Sequence, residues 1–247
     1  MHFTEQDIEE LLGVFPRLRR APSIHAGSGT RAVAMLAGPI EVEMRPAGLP
    51  VIQDTYRLRI EIPLRPTQQL PEVYEVGGRI PRELDDHVNT AGNLCLGSPL
   101  RLRTKLGKSP TLLEFVEICV VPFLYGRSWR EQGNEGFPFQ ELPHFGRGLI
   151  EDYEELLKVS GREAVSKALV VLSVRRRVAN KLACPCGCGL RLGRCDFRYH
   201  LCRLRDAATR SFYRGQVAQF AALNPGPPKA KGRSFFARRR VKPIRNP

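Results

Sequence analysis

The sequence lacks any apolar run long enough to cross a bilayer. Its longest runs, ICVVPFLYG and ALVVLSV, fall well short of the roughly 18 residues that a transmembrane helix needs. The first stretch, MHFTEQDIEELLGVF, is acidic and has neither a basic segment nor an apolar core. We therefore expect neither a membrane span nor a signal peptide. A nucleotide-binding P-loop is also missing, because GGRIPR lacks the Lys-Ser/Thr that follows its glycines.

The cysteines do not indicate a disulfide framework. The chain has seven of them, an odd number, and five fall between positions 184 and 202. This clustering favours a metal site in a reduced compartment over disulfide pairing. The sequence therefore predicts a cytoplasmic protein.

Acidic residues are scarce in only one part of the chain. Residues 1–160 carry 18 Lys/Arg and 22 Asp/Glu, a net charge of −4. Residues 161–247 carry 21 Lys/Arg and only three acids, a net charge of +18. We therefore predict a domain boundary near Gly161, with two electrostatically different parts on either side.

The first part, residues 1–160, has the pattern of an α+β domain. Thr4 and Asp7 form a capping-box pattern ahead of a helix that Pro16 should end. Apolar and polar residues then alternate over 40–44 and 56–62, which predicts antiparallel strands with one buried face. A shorter strand is predicted around EVYEVGG.

Further helices are predicted after these strands. Ser109 and Pro110 have the pattern of an N-cap and first helical residue, and Pro122 should end that helix. The stretch GRSWREQGNEGFPFQELPHFGR is predicted to be irregular, and its Glu141 and His144 fit a surface loop better than an acid or base above an active site. Leucines with helical spacing follow in LIEDYEELL, which predicts another helix.

The second part is predicted to contain three pieces. A helix over 162–182 leads into the cysteine cluster, and together they make a basic segment over 161–223. Residues 224–247, NPGPPKAKGRSFFARRRVKPIRNP, carry eight basic residues and no acid and should be a disordered tail. The composition of this tail fits two roles about equally well, namely binding to nucleic acid and merely keeping the protein soluble.

The stretch HVNTAGNLCLGSP, residues 87–99, indicates a cysteine with a chemical task. Cys95 lies in a predicted loop, where a thiol can be both exposed and held, and Asn89 offers an amide donor nearby. His87 could act as a base, but a structural role that orders the loop is the favoured interpretation. The alternative is that Cys95 is a small apolar core residue.

This arrangement resembles the ubiquitin-conjugating-enzyme family over about residues 1–157. That family carries His-Pro-Asn, a short turn and then the thioester-forming cysteine, and YRLRIEIPLRP and PTLLEFVEICVVPFLYG are most similar to a divergent bacterial branch. The resemblance implies a ubiquitin-conjugating-enzyme-like fold with the thioester on Cys95. It implies that Asn89 either stabilises the oxyanion or orders the loop, and that His87 supports the structure of the loop. Two departures are that Val88 replaces the proline and that the interval from Asn89 to Cys95 is about two residues shorter than usual.

The resemblance also implies an activity and partners. The chain would accept a ubiquitin-like modifier from a separate activating enzyme and pass it to an amine on a target protein. The bacterial branch implies an antiviral defence system, with a nucleotidyltransferase as one conceivable target. The alternative is a non-catalytic adaptor or nucleic-acid-binding protein that works through its basic C-terminal third.

The cluster CPCGCGLRLGRC has the spacing of a structural zinc site. Cys184, Cys186 and Cys195 place a Cys-x-Cys pair on a tight turn and a third cysteine nine residues later, and they match the SEC-C zinc motif. One departure from that motif is that Asp196 stands where its fourth ligand, a cysteine or histidine, is expected. The fourth ligand is therefore left open, and its candidates are Cys188, Asp196, His200 and Cys202. A full set of four protein ligands predicts a structural Zn²⁺ and not a catalytic one.

Overall fold

A computed structural model of the chain describes residues 3–22, 33–64, 69–138 and 145–222, without the side chains of 145–147. Glu141, His144 and the predicted basic tail lie outside these described residues. Within them the chain forms an antiparallel sheet followed by packed helices, which confirms the predicted α+β class.

The elements follow one another in a simple order. The strands are β1 (Arg19–Ala21), β2 (Val33–Met44), β3 (Ile52–Pro63) and β4 (Glu72–Glu75). The helices are α1 (Glu5–Val14), α2 (Pro99–Leu106), α3 (Leu112–Phe115), α4 (Val121–Glu131), α5 (Phe145–Leu157), α6 (Arg162–Ser173), α7 (Arg176–Ala179), α8 (Phe197–Ala207) and α9 (Arg210–Ala222). Short 3₁₀ turns lie at Leu84–Asp86 and Leu192–Arg194, and Val116–Val120 is π-helical. Among the helices described, none has both the length and the apolar character of a membrane span.

The sheet is an antiparallel meander in which neighbours in sequence are neighbours in space. The predicted alternation on β3 is confirmed, because Tyr56, Leu58, Ile60 and Ile62 are all buried. These side chains pack in one core with Ile8 and other residues of α1, α3 and α4. No sequence pattern predicted β1, because its three residues are mostly exposed and show no alternation.

Helix α1 begins as predicted. The Thr4 backbone N–H donates to the Asp7 carboxylate at 2.7 Å, and the Asp7 N–H donates to the Thr4 hydroxyl at 3.2 Å. These bonds satisfy donors that a helix N-terminus otherwise leaves unpaired. Ile8 and Leu11 are then buried in the core that also contains the inward-facing side chains of β3.

Two predicted boundaries of the next long helix are wrong. Thr111, and not Ser109, caps it, because the Thr111 hydroxyl accepts the Glu114 N–H at 3.1 Å and Glu114 accepts the Thr111 N–H at 2.8 Å. The helix also continues through Pro122 to Glu131. Directly before Pro122 the backbone changes to the π-helical pattern, which accommodates a residue without an N–H donor.

The C-terminal helices have a core of their own. Tyr153 and Leu157 of α5 pack with residues of α6, α8 and α9 in a second buried cluster. The predicted single helix over 162–182 is wrong, because α6 ends at Ser173 and Val174 is extended. A separate short helix, α7, then leads to the cysteine cluster.

Candidate functional site

Cys95 lies in the connection between β4 and α2, and its backbone is held on two sides. The Cys95 N–H donates to the His87 carbonyl at 2.7 Å, and the neighbouring Leu94 N–H donates to the Val73 carbonyl of β4 at 2.7 Å. The next helix, α2, begins four residues later at Pro99, and the Ser98 hydroxyl caps it by accepting the Arg101 N–H at 3.1 Å. The thiol is therefore fixed between a strand and a helix cap.

Residues 88–94 form a tight reversal that brings Asn89 and Cys95 to the same region. Val88 and Leu94 form an antiparallel bridge, and the Asn89 N–H donates to the Asn93 carbonyl at 2.9 Å. The Gly92 N–H closes the turn on the Asn89 carbonyl at 2.7 Å, with Gly92 at a φ of 85° that glycine adopts readily.

His87 occupies a strained position at the entrance to this turn. Its φ of 56° is left-handed, which is uncommon for a residue other than glycine. Its ring contacts Phe137 edge-on, with the ring centres 5.0 Å apart. The Val88 N–H donates to the Glu83 carbonyl at 3.2 Å, a bond that the proline usual at this position in the resembled family would lack.

Helix α4 anchors the segment just ahead of His87. Arg127 is almost fully buried and forms an ion pair with Asp86, while Arg130 donates to the Asp85 carbonyl at 3.0 Å. Breaking a buried ion pair costs about 3–5 kcal/mol, because the remaining charge stays buried without its partner. The loop is thus held by contacts with α4, and no sequence pattern predicted this pairing.

Phe137 reaches His87 only because α4 has a glycine below it. A Cβ atom on Gly126 would lie 2.3 Å from the Phe137 ring, closer than any real contact. The ring also approaches Phe123, at 6.4 Å between ring centres. Gly126 and Phe137 fall in a stretch predicted to be irregular, so sequence reasoning missed their contact. The signal present was the run of aromatic residues in GFPF.

The half-buried Cys95 opens into a cleft of about 790 Å³. Asn89 and His87 line the same cleft, so all three residues predicted for catalysis border one space. The buried Cys119, from the π-helical segment, lines it as well. The cleft is large enough for an extended peptide segment of a few residues.

Burial raises the pKa of the Cys95 thiol, although a hydrogen bond from the Gly97 backbone partly opposes the shift. Because the thiolate is the reactive form, alkylation of Cys95 by iodoacetamide should accelerate roughly tenfold per pH unit to above pH 9. The rate should be measured by mass spectrometry of the peptide that carries Cys95, with Cys95→Ala as control. Cys119 should react more slowly, because burial raises its pKa to about 11. A rate that levels off near neutral pH would contradict the raised pKa.

Four cysteines lie close together in the C-terminal part and could hold a metal ion. The sulfur atoms of Cys184, Cys186, Cys188 and Cys195 are all within 4.8 Å of one another. Individual sulfur pairs are 3.1 Å apart for Cys184 and Cys186 and 3.7 Å apart for Cys186 and Cys195. Four thiolates around one point are the donor set of a structural zinc site.

The local backbone explains how adjacent cysteines converge. The Cys184 N–H donates to the Leu190 carbonyl at 2.8 Å, which closes the loop between them. Gly187 and Gly189 have φ values of 82° and 76°, so both turns of the loop use conformations that favour glycine. The 3₁₀ turn that follows then delivers Cys195 to the same point.

The packing of these thiols changes their acidity. Burial of Cys186 raises its pKa, but hydrogen bonds, first of all from the Cys184 thiol, outweigh this effect and bring the pKa to about 7. Burial raises the pKa of Cys184. The lowered pKa of Cys186 favours its thiolate, the form that binds metal.

The other candidates for the fourth ligand are not members of this group. His200 places its Nε2 atom 3.0 Å from the Leu156 carbonyl, at the contact between α8 and α5. Asp196 and Cys202 are also not among the four grouped residues. Of the candidates, Cys188 is the one that the structure brings to Cys184, Cys186 and Cys195.

Comparison with known proteins identifies no relative. No family model matches the chain, and neither the curated proteins nor the solved structures include a match to it.

Proposed function

We propose that Cys95 accepts the C-terminal acyl group of a ubiquitin-like modifier as a thioester and passes it to an amine on a target protein. The Cys95 thiolate attacks the modifier's C-terminal carbonyl, which a separate ATP-using activating enzyme presents as its own thioester. The thiolate of that enzyme leaves. The target amine then attacks the new thioester, Cys95 departs as thiolate, and the nitrogen loses a proton to leave an amide.

The observation that carries the proposal is the placement of Cys95. It is a half-buried thiol at the edge of an open cleft, on a loop whose backbone is fixed by hydrogen bonds. Asn89 borders the same cleft and can supply an amide donor where oxyanion charge develops. A helix, a four-strand meander and then this loop follow one another as the resemblance to ubiquitin-conjugating enzymes implies.

The raised pKa of Cys95 suits a carrier. A thiol with a higher pKa is a stronger nucleophile once deprotonated and a poorer leaving group once acylated. A thioester on Cys95 is therefore attacked more slowly by water and by amines alike. Cys119 borders the cleft from within a helix and is buried, which makes it a poor substitute.

We propose in addition that the four-cysteine cluster holds structural Zn²⁺. Its four sulfur donors leave no ligand position open for a reacting water, so the ion would supply folding energy and not chemistry.

The decisive test loads the full-length protein with its modifier and activating enzyme and compares gels run with and without reducing agent. The partners can be taken from genes that neighbour its own. We expect an adduct that disappears on reduction, that is absent in Cys95→Ala, and that becomes resistant to reduction in Cys95→Ser, because the serine ester has a poorer leaving group. The matched control is Cys119→Ser, which should load normally.

Two results would contradict the proposal. A reductant-sensitive adduct that persists in Cys95→Ala would assign the chemistry to another cysteine. Failure of the wild-type protein to load with its neighbouring modifier and activating enzyme would exclude the transferase activity.

A further inference from the structure

A second cavity, of about 420 Å³, lies in the C-terminal part and is lined by cationic side chains. It is bordered by the end of α6, by α7, by the end of α8 and by the start of α9, and by one residue that follows α2. Its charged lining residues are all basic, namely Lys108, Arg175, Arg176, Arg205 and Arg210. This cavity plays no part in the proposed chemistry at Cys95.

The positive charge of this cavity is poorly compensated within the described part of the chain. Among the described residues, one ion pair involves any of these five cations. It joins Lys108 to Asp206, with 3.6 Å between the charged atoms. The Asp206 side chain is 83% exposed, so this pair is screened by solvent. Positive charges that line one concave site repel one another, and a bound anion would offset this repulsion.

One of the five cations is committed to the fold and shows this repulsion. Arg205 donates to the carbonyls of Val171 at 2.6 Å and Val174 at 2.9 Å, and so caps the C-terminal end of α6. Burial lowers the pKa of Arg205, and the charges of Arg176 and Arg210 lower it further. Arg175, Arg176 and Arg210 are exposed, and their guanidinium groups are available to a ligand.

We propose that this arginine-lined cavity binds phosphate groups of a nucleic-acid strand. Guanidinium groups bind phosphate in a bidentate fashion and retain their charge at all physiological pH values. A strand fits better than a small free anion because the basic surface continues beyond the cavity. Over the described residues 161–222 the chain carries 13 Lys/Arg and three acidic residues, a net charge of +10.

The test measures the affinity of the full-length protein for a labelled 20-nucleotide single strand by fluorescence anisotropy over a series of salt concentrations. The variant combines Arg176→Ala in α7 with Arg210→Ala at the start of α9. We expect affinity to fall roughly tenfold for each arginine lost, as for other charge-assisted hydrogen bonds. The slope of log K against log salt should fall by about 1.4 for two lost contacts with a single strand.

A matched double variant separates the cavity from general basicity. Arg177→Ala and Arg214→Ala remove the same charge from the same two helices, at exposed positions that do not line the cavity. This control should keep most of the affinity. All forms retain the basic residues after position 222, so any difference between the two variants reports on the cavity. Unfolding temperatures should match, because all four side chains are exposed.

Three results would overturn the proposal. Equal loss in both double variants would assign binding to diffuse charge. Failure of the wild-type protein to bind the strand at low salt would show that the protein does not bind nucleic acid. Displacement of the strand by millimolar pyrophosphate, with the strand binding no tighter than pyrophosphate itself, would make the ligand a small phosphorylated compound. The Cys95 loading assay serves as an independent readout, which Arg176→Ala with Arg210→Ala should leave unchanged.

Discussion

Removal of the proposed Zn²⁺ from the four-cysteine cluster is expected to unfold the segment that surrounds it. Protein purified without added zinc should carry about one equivalent per chain, and a strong chelator should make residues from Leu182 to α8 sensitive to protease. Structural zinc contributes roughly 10–16 kcal/mol of apparent binding energy in small zinc peptides, which are unfolded without it. Cys184 packs in the same core as Leu192 and Leu201, so loss of the loop exposes apolar surface. Elemental analysis and limited proteolysis provide the measurement.

The variants for this test come in matched pairs. Cys188→Ser should lower the metal content, because its sulfur is one of the four grouped donors, whereas Cys202→Ser, at a thiol outside the group, should not. His200→Ala should also keep the metal, because the ring contacts the Leu156 carbonyl. Metal-free protein with an intact, protease-resistant C-terminal part would refute a structural metal. Acidification should release the ion, because protons compete for the thiolates.

Local sequence signals predicted the elements that depend on neighbours in the chain. The capping box at Thr4 involves residues three apart, and the alternation on β3 needs only its own twelve residues. The cysteine spacing brought Cys184, Cys186 and Cys195 together for the same reason, since one loop and one turn connect them. Such features depend on rules with a range of a few residues.

Features that depend on distant contacts were not predictable in this way. Pro122 has the local signature of a helix end, but helical residues both before and after it are buried in the core, and this burial outweighs the local signal. The backbone accommodates the proline with the π-helical segment that precedes it. The anchor of the Cys95 loop is Arg127, 41 residues from its partner Asp86. The arginine-lined cavity joins residues from Lys108 to Arg210. No pattern in the sequence relates positions so far apart.

The fourth position of the cysteine cluster shows where spacing alone becomes insufficient. Four residues are close enough along the chain to be the fourth ligand, namely Cys188, Asp196, His200 and Cys202. Only the fold shows which of them reaches the other three cysteines. His200 and Cys202 lie on α8, whose register directs His200 to α5. Two glycines with positive φ fold the short loop back and bring Cys188 to the other sulfur atoms.

The second large effect is expected from Asn89→Ala, which should leave loading of Cys95 nearly normal and slow its discharge about a hundredfold or more. Asn89 lines the cleft into which Cys95 opens, and an oxyanion would form there as the amine attacks the proposed thioester. Loss of one preorganised donor removes stabilisation that exists only in the transition state, so the rate falls while binding is kept. The measurement is single-turnover discharge of preloaded protein to free lysine.

Asn93→Ala is the matched control, because Asn93 belongs to the same turn and lines the same cleft. Its contact with Asn89 uses backbone atoms, so alanine at either position preserves the 2.9 Å bond that holds the turn. The alkylation rate of Cys95 should be equal in wild type and both variants if the loop is intact. Slow discharge in Asn89→Ala together with altered alkylation would indicate a positioning residue that orders the loop. Discharge at the wild-type rate would mean that other donors, such as backbone N–H groups of the loop, stabilise the oxyanion.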